Sequence, residues 1–160
     1  VMRPVKMNRA TAATATALPL LLAGTLVLVT GCDSGSKDKP ELSVSGAYLP
    51  QPAMADMAAA YFTVKNDGGK ADQLTKVTTP LSGDVTLHTT EGSKMKHAAK
   101  LDVPANGTLS LSRGGNHLML GKLDHKPKVG EKVEFTLHFA TSAPVKVQVP
   151  VESASFRPKD

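Results

Sequence analysis

Val133-Glu134-Phe135-Thr136-Leu137-His138-Phe139 and Val145-Lys146-Val147-Gln148-Val149-Pro150-Val151 place an apolar residue at every second position. Successive side chains of an extended chain point to opposite faces, so a period of two gives each segment one core-facing side. Both segments read as half-buried strands. Working outward, the same pattern holds from about Leu42 onward, and predicts strands over 59–65, 74–78, 84–89, 94–103, 108–111 and 117–120. Turn-forming clusters separate them: Asn66-Asp67-Gly68-Gly69, Ser82-Gly83, Asn106-Gly107 and Gly114-Gly115. Many short strands punctuated in this way predict an all-β sandwich or barrel. No long amphipathic helix and no internal repeat is present, and residues 54–60 are expected to form a short turn or helical piece.

The predicted core is aliphatic. There is no Trp and aromatic residues make up 4% of the chain, so Val and Leu must supply most of the buried surface. At ~25 cal/mol per Å² of apolar area, one domain of this size is stable without cross-links. That matters because Cys32 is the single cysteine, which excludes a disulfide within the chain.

The first 31 residues carry the marks of an export signal: basic Arg3, Lys6 and Arg9, an apolar run from Leu18 to Val29, then small residues. The run is short for a bilayer span, which needs ~20 residues. Val29-Thr30-Gly31-Cys32 resembles the lipobox of bacterial lipoproteins, which implies that Cys32 is acylated and becomes the mature N-terminus. The alternative is a plain secretory peptide that leaves one unpaired thiol. Val1 points to a non-standard start codon, with Met2 and Met7 as other starts. The polar stretch Asp33-Ser34-Gly35-Ser36-Lys37-Asp38-Lys39-Pro40 has the composition of a flexible tether. The expected organisation is a signal peptide over 1–31, lipidated Cys32 and tether over 32–41, one β domain over 42–152, and a tail over 153–160.

The whole chain has a formal charge of +5, but the signal holds three basic residues and no acidic ones. What remains has 16 basic against 14 acidic residues, dispersed and without a basic stripe interleaved with aromatics. No nucleic-acid partner is expected.

The chemistry concentrates between Met95 and Met119, where a Met is followed after 21 residues by His117-Leu118-Met119. Thioethers suit soft monovalent metals, and Cu(I) is the candidate; imidazole accepts several first-row ions. Methionine is also the durable soft ligand where free thiols become oxidised. Residues two apart on a strand share a face. His117 and Met119 therefore point one way, at the rim, and Leu118 and Leu120 point to the core. Likewise Thr86 shares a face with His88, and Met95 with His97, so three strands can each deliver a donor to one edge of the barrel. On pattern alone the same residues also fit a simpler role, since Met on a strand is commonly core filler. His125, His138, Met54 and Met57 are read as structural, with packing the expected role of the two methionines and copper capture by them a minor alternative.

Several of these segments are similar to the PCu(A)C-type periplasmic copper chaperones: Val85-Thr86-Leu87-His88, Met95, Val103-Pro104-Ala105-Asn106-Gly107 and Gly114-Gly115-Asn116-His117-Leu118-Met119-Leu120. Ala59-Ala60-Tyr61-Phe62-Thr63-Val64-Lys65-Asn66 resembles the family's early strand, and Lys128-Val129-Gly130-Glu131 with two Val-rich strands resembles its C-terminal end. The resemblance implies a cupredoxin-like, Greek-key β-barrel and the metal ligands His88, Met95, His117 and Met119. One departure stands out: the family motif has ten residues between its first ligand and the following Met, whereas six separate His88 from Met95. A shortened hairpin around Glu91-Gly92 accommodates the difference, and His97 is the alternative fourth donor, also suited to Cu(II).

The implied function is that of a monomeric, membrane-anchored, extracytoplasmic copper chaperone. Its implied recipient is a Sco-type protein or an oxidase subunit, in assembly of the cytochrome c oxidase copper centre. An enzymatic zinc or copper site is not expected, because no acidic general base lies near the motif and thioethers do nothing for zinc. Blue-copper electron transfer needs a cysteine ligand, and Cys32 precedes the domain. The competing class is a metal-free β-barrel lipoprotein for binding or adhesion.

Overall fold

The computed structural model describes residues 38–159, so the expected signal peptide, the lipidation site Cys32 and most of the tether lie outside the described residues. The described chain consists of ten strands: β1 (Leu42–Pro50), β2 (Met57–Asn66), β3 (Asp72–Thr78), β4 (Ser82–Glu91), β5 (Lys94–Ala98), β6 (Leu101–Val103), β7 (Gly107–Leu111), β8 (His117–Leu123), β9 (Lys132–Phe139) and β10 (Val145–Glu152). The order across the sheet is β5-β4-β8-β2-β1-β10-β9-β3-β6, with β7 added to the C-terminal half of β2. β1 and β10 form the one parallel pair of strands among the described residues.

Alternation built the core as the sequence predicts. In β9, Val133, Phe135, Leu137 and Phe139 are buried; in β2, Ala58, Ala60, Phe62 and Val64 are. Leu118 and Leu120 of β8 and Leu87 of β4 join the same cluster. Buried polar groups are satisfied. Asn66 accepts from the backbone N–H of Glu41 and Gly68 (both 2.9 Å) and donates to the Lys70 carbonyl (2.7 Å), fixing the β2–β3 connection. Asp72 does the same for the β9–β10 loop. Its carboxylate accepts from the N–H of Gln73 (2.8 Å), Thr141 (3.0 Å) and Ser142 (2.9 Å), and from the Ser142 hydroxyl.

Three expectations change. The stretch 54–60 is not helical: bends lead into β2 at Met57, because Ala58 and Ala60 are alternate core positions of a strand. The single strand expected over 94–103 is two, β5 paired with β4 and β6 paired with β3, since Leu101 and Val103 turn into the core while β5 runs outside it. The alternation expected from about Leu42 onward is interrupted within 42–50 by a register shift between Ser45 and Tyr48, although the whole stretch forms a strand.

Candidate metal centre

Strands β5, β4, β8 and β2 lie side by side, and their registers bring the predicted donors to one face. His88 of β4 is directly opposite His117 of β8 on one side and His97 of β5 on the other. Two residues along β4 in one direction, Thr86 is opposite Met119; two residues in the other, Thr90 is opposite Met95. Directly opposed side chains share a face, and diagonal neighbours are about 7–8 Å apart, within reach of long side chains. Met119 and Met95 are thus diagonal neighbours of His88 from opposite sides.

The sequence places its apolar residues so that this face has firm backing. Leu118, between His117 and Met119, is fully buried, as is Leu120, while Leu87 buries itself beside His88. Across from Met119 on β2 is only Ala59, which leaves space above the methionine.

His117 was expected at the rim, but it is buried, 5% exposed. Its ring stacks on His88, with centroids 5.3 Å apart, and its Nδ1 lies 2.9 Å from the Gly115 carbonyl. A carbonyl only accepts, so Nδ1 carries the proton and Nε2 keeps its lone pair, as a metal-ligating imidazole requires. The same Gly115 carbonyl accepts from the Thr90 hydroxyl (3.0 Å), tying the loop before β8 to β4. That loop is tight: Ser112 N–H donates to the Asn116 carbonyl (2.9 Å) and Gly115 N–H to the Ser112 carbonyl (3.0 Å). Gly114, at φ +81°, adopts the left-handed conformation that makes the turn, one that side-chain-bearing residues rarely take.

His88 Nε2 lies 3.0 Å from the Thr86 hydroxyl. Burial first, then the neighbouring His117 and His97, push its pKa below the ordinary 6.5, so the ring is neutral and available as a donor at neutral pH. His97 meets His88 edge-on, with centroids 5.9 Å apart, on the side away from His117. The three imidazoles therefore stand in a row rather than around one point. Consistently, no three His, Cys, Asp or Glu side chains converge to hold an ion among the described residues. A site on this face must recruit thioethers, which selects for a soft ion.

Met95 completes the set differently. β5 is an edge strand almost without buried side chains, and Met95 is 64% exposed. It sits next to a two-residue turn, Gly92-Ser93, between the paired Glu91 and Lys94, where Gly92 has φ +62°. This is the short hairpin expected from the reduced His88–Met95 spacing.

Other candidates stand apart from this face. His138 is 3.1 Å from the Thr78 hydroxyl, and His125 pairs with Glu131 at 2.7 Å; both have structural partners, as expected. Met54 and Met57 do not pack as expected. They are 63% and 43% exposed, and with Met119, Tyr61 and Arg113 they line a cavity of about 310 Å³. Sequence reasoning missed this because it is the pairing of β2 with β8 that makes Met57 the diagonal neighbour of Met119 across the small Ala59.

Comparison with known proteins agrees with the fold. The protein family described as "Putative lipoprotein LpqE-like" matches residues 42–151. A "Putative lipoprotein Lxx21020" of Leifsonia xyli subsp. xyli is 32% identical over 159 residues, covering 96% of this chain and 94% of the relative. Among solved structures, CuI-DR1885 from Deinococcus radiodurans is 30% identical with TM-score 0.63, covering 78% of this chain and 85% of that one. The apo PCuAC domain from PmoF1 is 22% identical with TM-score 0.65, covering 72% of this chain and 99% of that one, a likeness of fold. The all-β, cupredoxin-like architecture expected from the sequence is therefore the observed one. With the family matched over nearly all ten strands, the chain belongs to the LpqE-like lipoprotein family, and its β domain shares the fold of the PCuAC domains.

Proposed function

We propose that this protein is an extracytoplasmic, lipid-anchored copper chaperone that holds Cu(I) through His88, Met95, His117 and Met119. The observation that carries the reading is the register: His88 is directly opposite His117, with Met119 and Met95 diagonal to it on the two flanking strands. His88 rather than His97 is the fourth donor because it stacks on His117, whereas His97 meets only its far side. The copper-loaded relative from Deinococcus radiodurans supports Cu(I) as cargo.

The donor set suits transfer better than storage. All four donors are neutral, so no charge has to be separated when one leaves. Cu(I) accepts two, three or four ligands, and a partner's donor can bind before one of these dissociates. His117 and His88 are held by fixed hydrogen bonds, while Met95 is exposed on an edge strand. Met95 is therefore the first of the four ligands to yield. A lipid on Cys32 confines encounters to the membrane surface and raises the effective concentration of partners there. The recipient implied by the PCu(A)C resemblance is a Sco-type protein or an oxidase subunit during assembly of the cytochrome c oxidase copper centre.

The test is an anaerobic Cu(I) titration of residues 33–160, which form a compact unit of their own, against a chromogenic chelator. One tightly held equivalent, weakened when Met95, His117 or Met119 is replaced, is the expected result. Absence of competitive binding would leave a metal-free lipoprotein whose β domain serves binding or adhesion.

A further inference from the structure

Four large hydrophobic side chains are exposed among the described residues, and three of them are methionines: Met54, Met57 and Met95. An exposed Met gains little from burial, and packing does not account for its position. Met95 belongs to the proposed copper site. Met54 and Met57 stand on its other side, and together with Met119 they line one cavity of about 310 Å³.

The sheet register explains the grouping. Met57 of β2 is opposite Gly121 of β8, and Ala59 is opposite Met119. Met57 is therefore the diagonal neighbour of Met119 on the same face, and the two residues beside this diagonal, Ala59 and Gly121, have the smallest side chains available. Met54 reaches the same cavity from the bend just before β2. Across β5, β4, β8 and β2 the outer face thus carries a continuous line of soft or borderline donors: Met95, His88, His117, Met119, then Met57 and Met54.

The charges nearby are compatible with a monovalent cation at this end. Asp84, opposite Gly121 from the β4 side, has its Oδ2 within 3.2 Å of the space above that glycine. Arg113 also lines the cavity, but at its Tyr61 end. Its guanidinium lies over the Tyr61 ring, 5.8 Å from the centroid, and its Nη2 donates to the Ala154 carbonyl (3.1 Å). Tyr61 is four residues along β2 from Met57, about 13 Å at the usual strand rise. Along β2 the fixed cation thus lies at the Tyr61 end, away from Met57, with Met119 between the two.

We propose that Met54, Met57 and Met119 form a second, all-thioether Cu(I) site beside the histidines, an exchange station through which the ion reaches or leaves them. The inference rests on the copper reading above. Met119 belongs to both sites, so the ion moves without being released. Each exchange forms one copper–nitrogen bond to His117 or His88 and breaks one copper–sulfur bond to Met57 or Met54. Copper remains Cu(I) throughout, and no proton or electron is transferred. An all-thioether site is weaker than one with imidazoles in it, which sets the direction of loading toward the histidines, and a partner's stronger donors reverse it.

The experiment is an anaerobic Cu(I) titration of residues 33–160 labelled with ¹³C at the methionine ε-methyl groups, in the unaltered chain and in M54L/M57L. Leu keeps the volume and removes the sulfur, and both sites are exposed, so the fold is retained. In the unaltered chain the first equivalent is expected to shift the Met95 and Met119 methyl signals. A second, weaker equivalent, held by Met54 and Met57 alone while Met119 stays on the first ion, is expected to shift the signals of Met54 and Met57. M54L/M57L is expected to lose the second equivalent, keep the first, and load more slowly from a Cu(I)–chelator complex. A tight first equivalent with unmoved Met54 and Met57 signals, or a second equivalent that survives in M54L/M57L, overturns this inference alone. Absence of the first equivalent from the unaltered chain overturns the chaperone reading and this inference with it.

Discussion

Met119 separates packing from coordination more cleanly than any other residue. Its side chain is half-buried on the outer face, with Leu118 and Leu120 holding β8 to the core behind it. Met119→Leu conserves volume, and such swaps cost below about 1.5 kcal/mol of stability. The variant should unfold at nearly the same urea concentration as the parent and lose at least tenfold in Cu(I) affinity. Unchanged affinity would remove Met119 from the ligand set. His88 offers a pH readout. Burial and its two histidine neighbours depress its pKa, so the neutral ring is favoured by the fold. Stability tied to that neutral ring is present in full above the ordinary histidine range and is lost as pH falls through the lowered value. Cu(I) affinity should hold to a more acid pH than an isolated imidazole allows, then drop as His88 takes up a proton. His97→Ala removes one of the neighbouring charges and exposes the ring, so the His88 midpoint, followed by NMR of its ring protons, should move up toward 6.5.

At the level of elements, firm and loose parts of the sheet have separate causes. Asp72 anchors the start of β3 to the β9–β10 loop through three hydrogen bonds, from Thr141 and Ser142, and also accepts from the N–H of Gln73 beside it. Although burial works to raise its pKa, the Ser142 hydroxyl and the three backbone N–H groups outweigh it, and the carboxyl is held below its ordinary range. The stabilisation is therefore present above the usual carboxylate range and lost as pH falls through the lowered value. Asp72→Asn leaves the Ser142 donors facing an amide N–H₂, and unfolding should become easier by about 2 kcal/mol, the scale of hydrogen bonds to a charged group. β5 is the opposite case. It pairs with β4 alone and contributes no fully buried side chain, so its amides should exchange with deuterium ahead of those in β4 and β8. Binding of Cu(I) across Met95 and His88 should slow that exchange; β5 protection unaltered by copper would mean that Met95 is not engaged.

At the scale of the whole molecule, the proposed lipid anchor can be tested apart from the β domain. Among the described residues, every member of the core cluster lies between Leu49 and Val151. Cys32→Ser should release the protein from the membrane fraction while leaving thermal unfolding and the Cu(I) equivalent of the domain unchanged. Persistence of the variant in membranes after a high-salt wash would argue against lipidation at this cysteine.

The sequence by itself determined the fold class and the faces. Period-two alternation in β9 and β10 placed Phe135, Leu137, Val149 and Val151 inside, and the same rule assigned Leu118 and Leu120 to the core and His117 and Met119 to the outer face. Those properties are local, because the direction of a side chain on a strand follows from its position in the chain. Which strands are neighbours is not local. The stacking of His88 on His117, the row formed with His97, and the burial of His117 beneath a tight glycine loop all depend on β4 lying between β5 and β8. Likewise, only the pairing of β2 with β8 sets Met57 over Gly121 and opens the cavity it shares with Met54 and Met119. Alternation assigns each side chain to a face, but long-range hydrogen bonding between strands decides which side chains meet there.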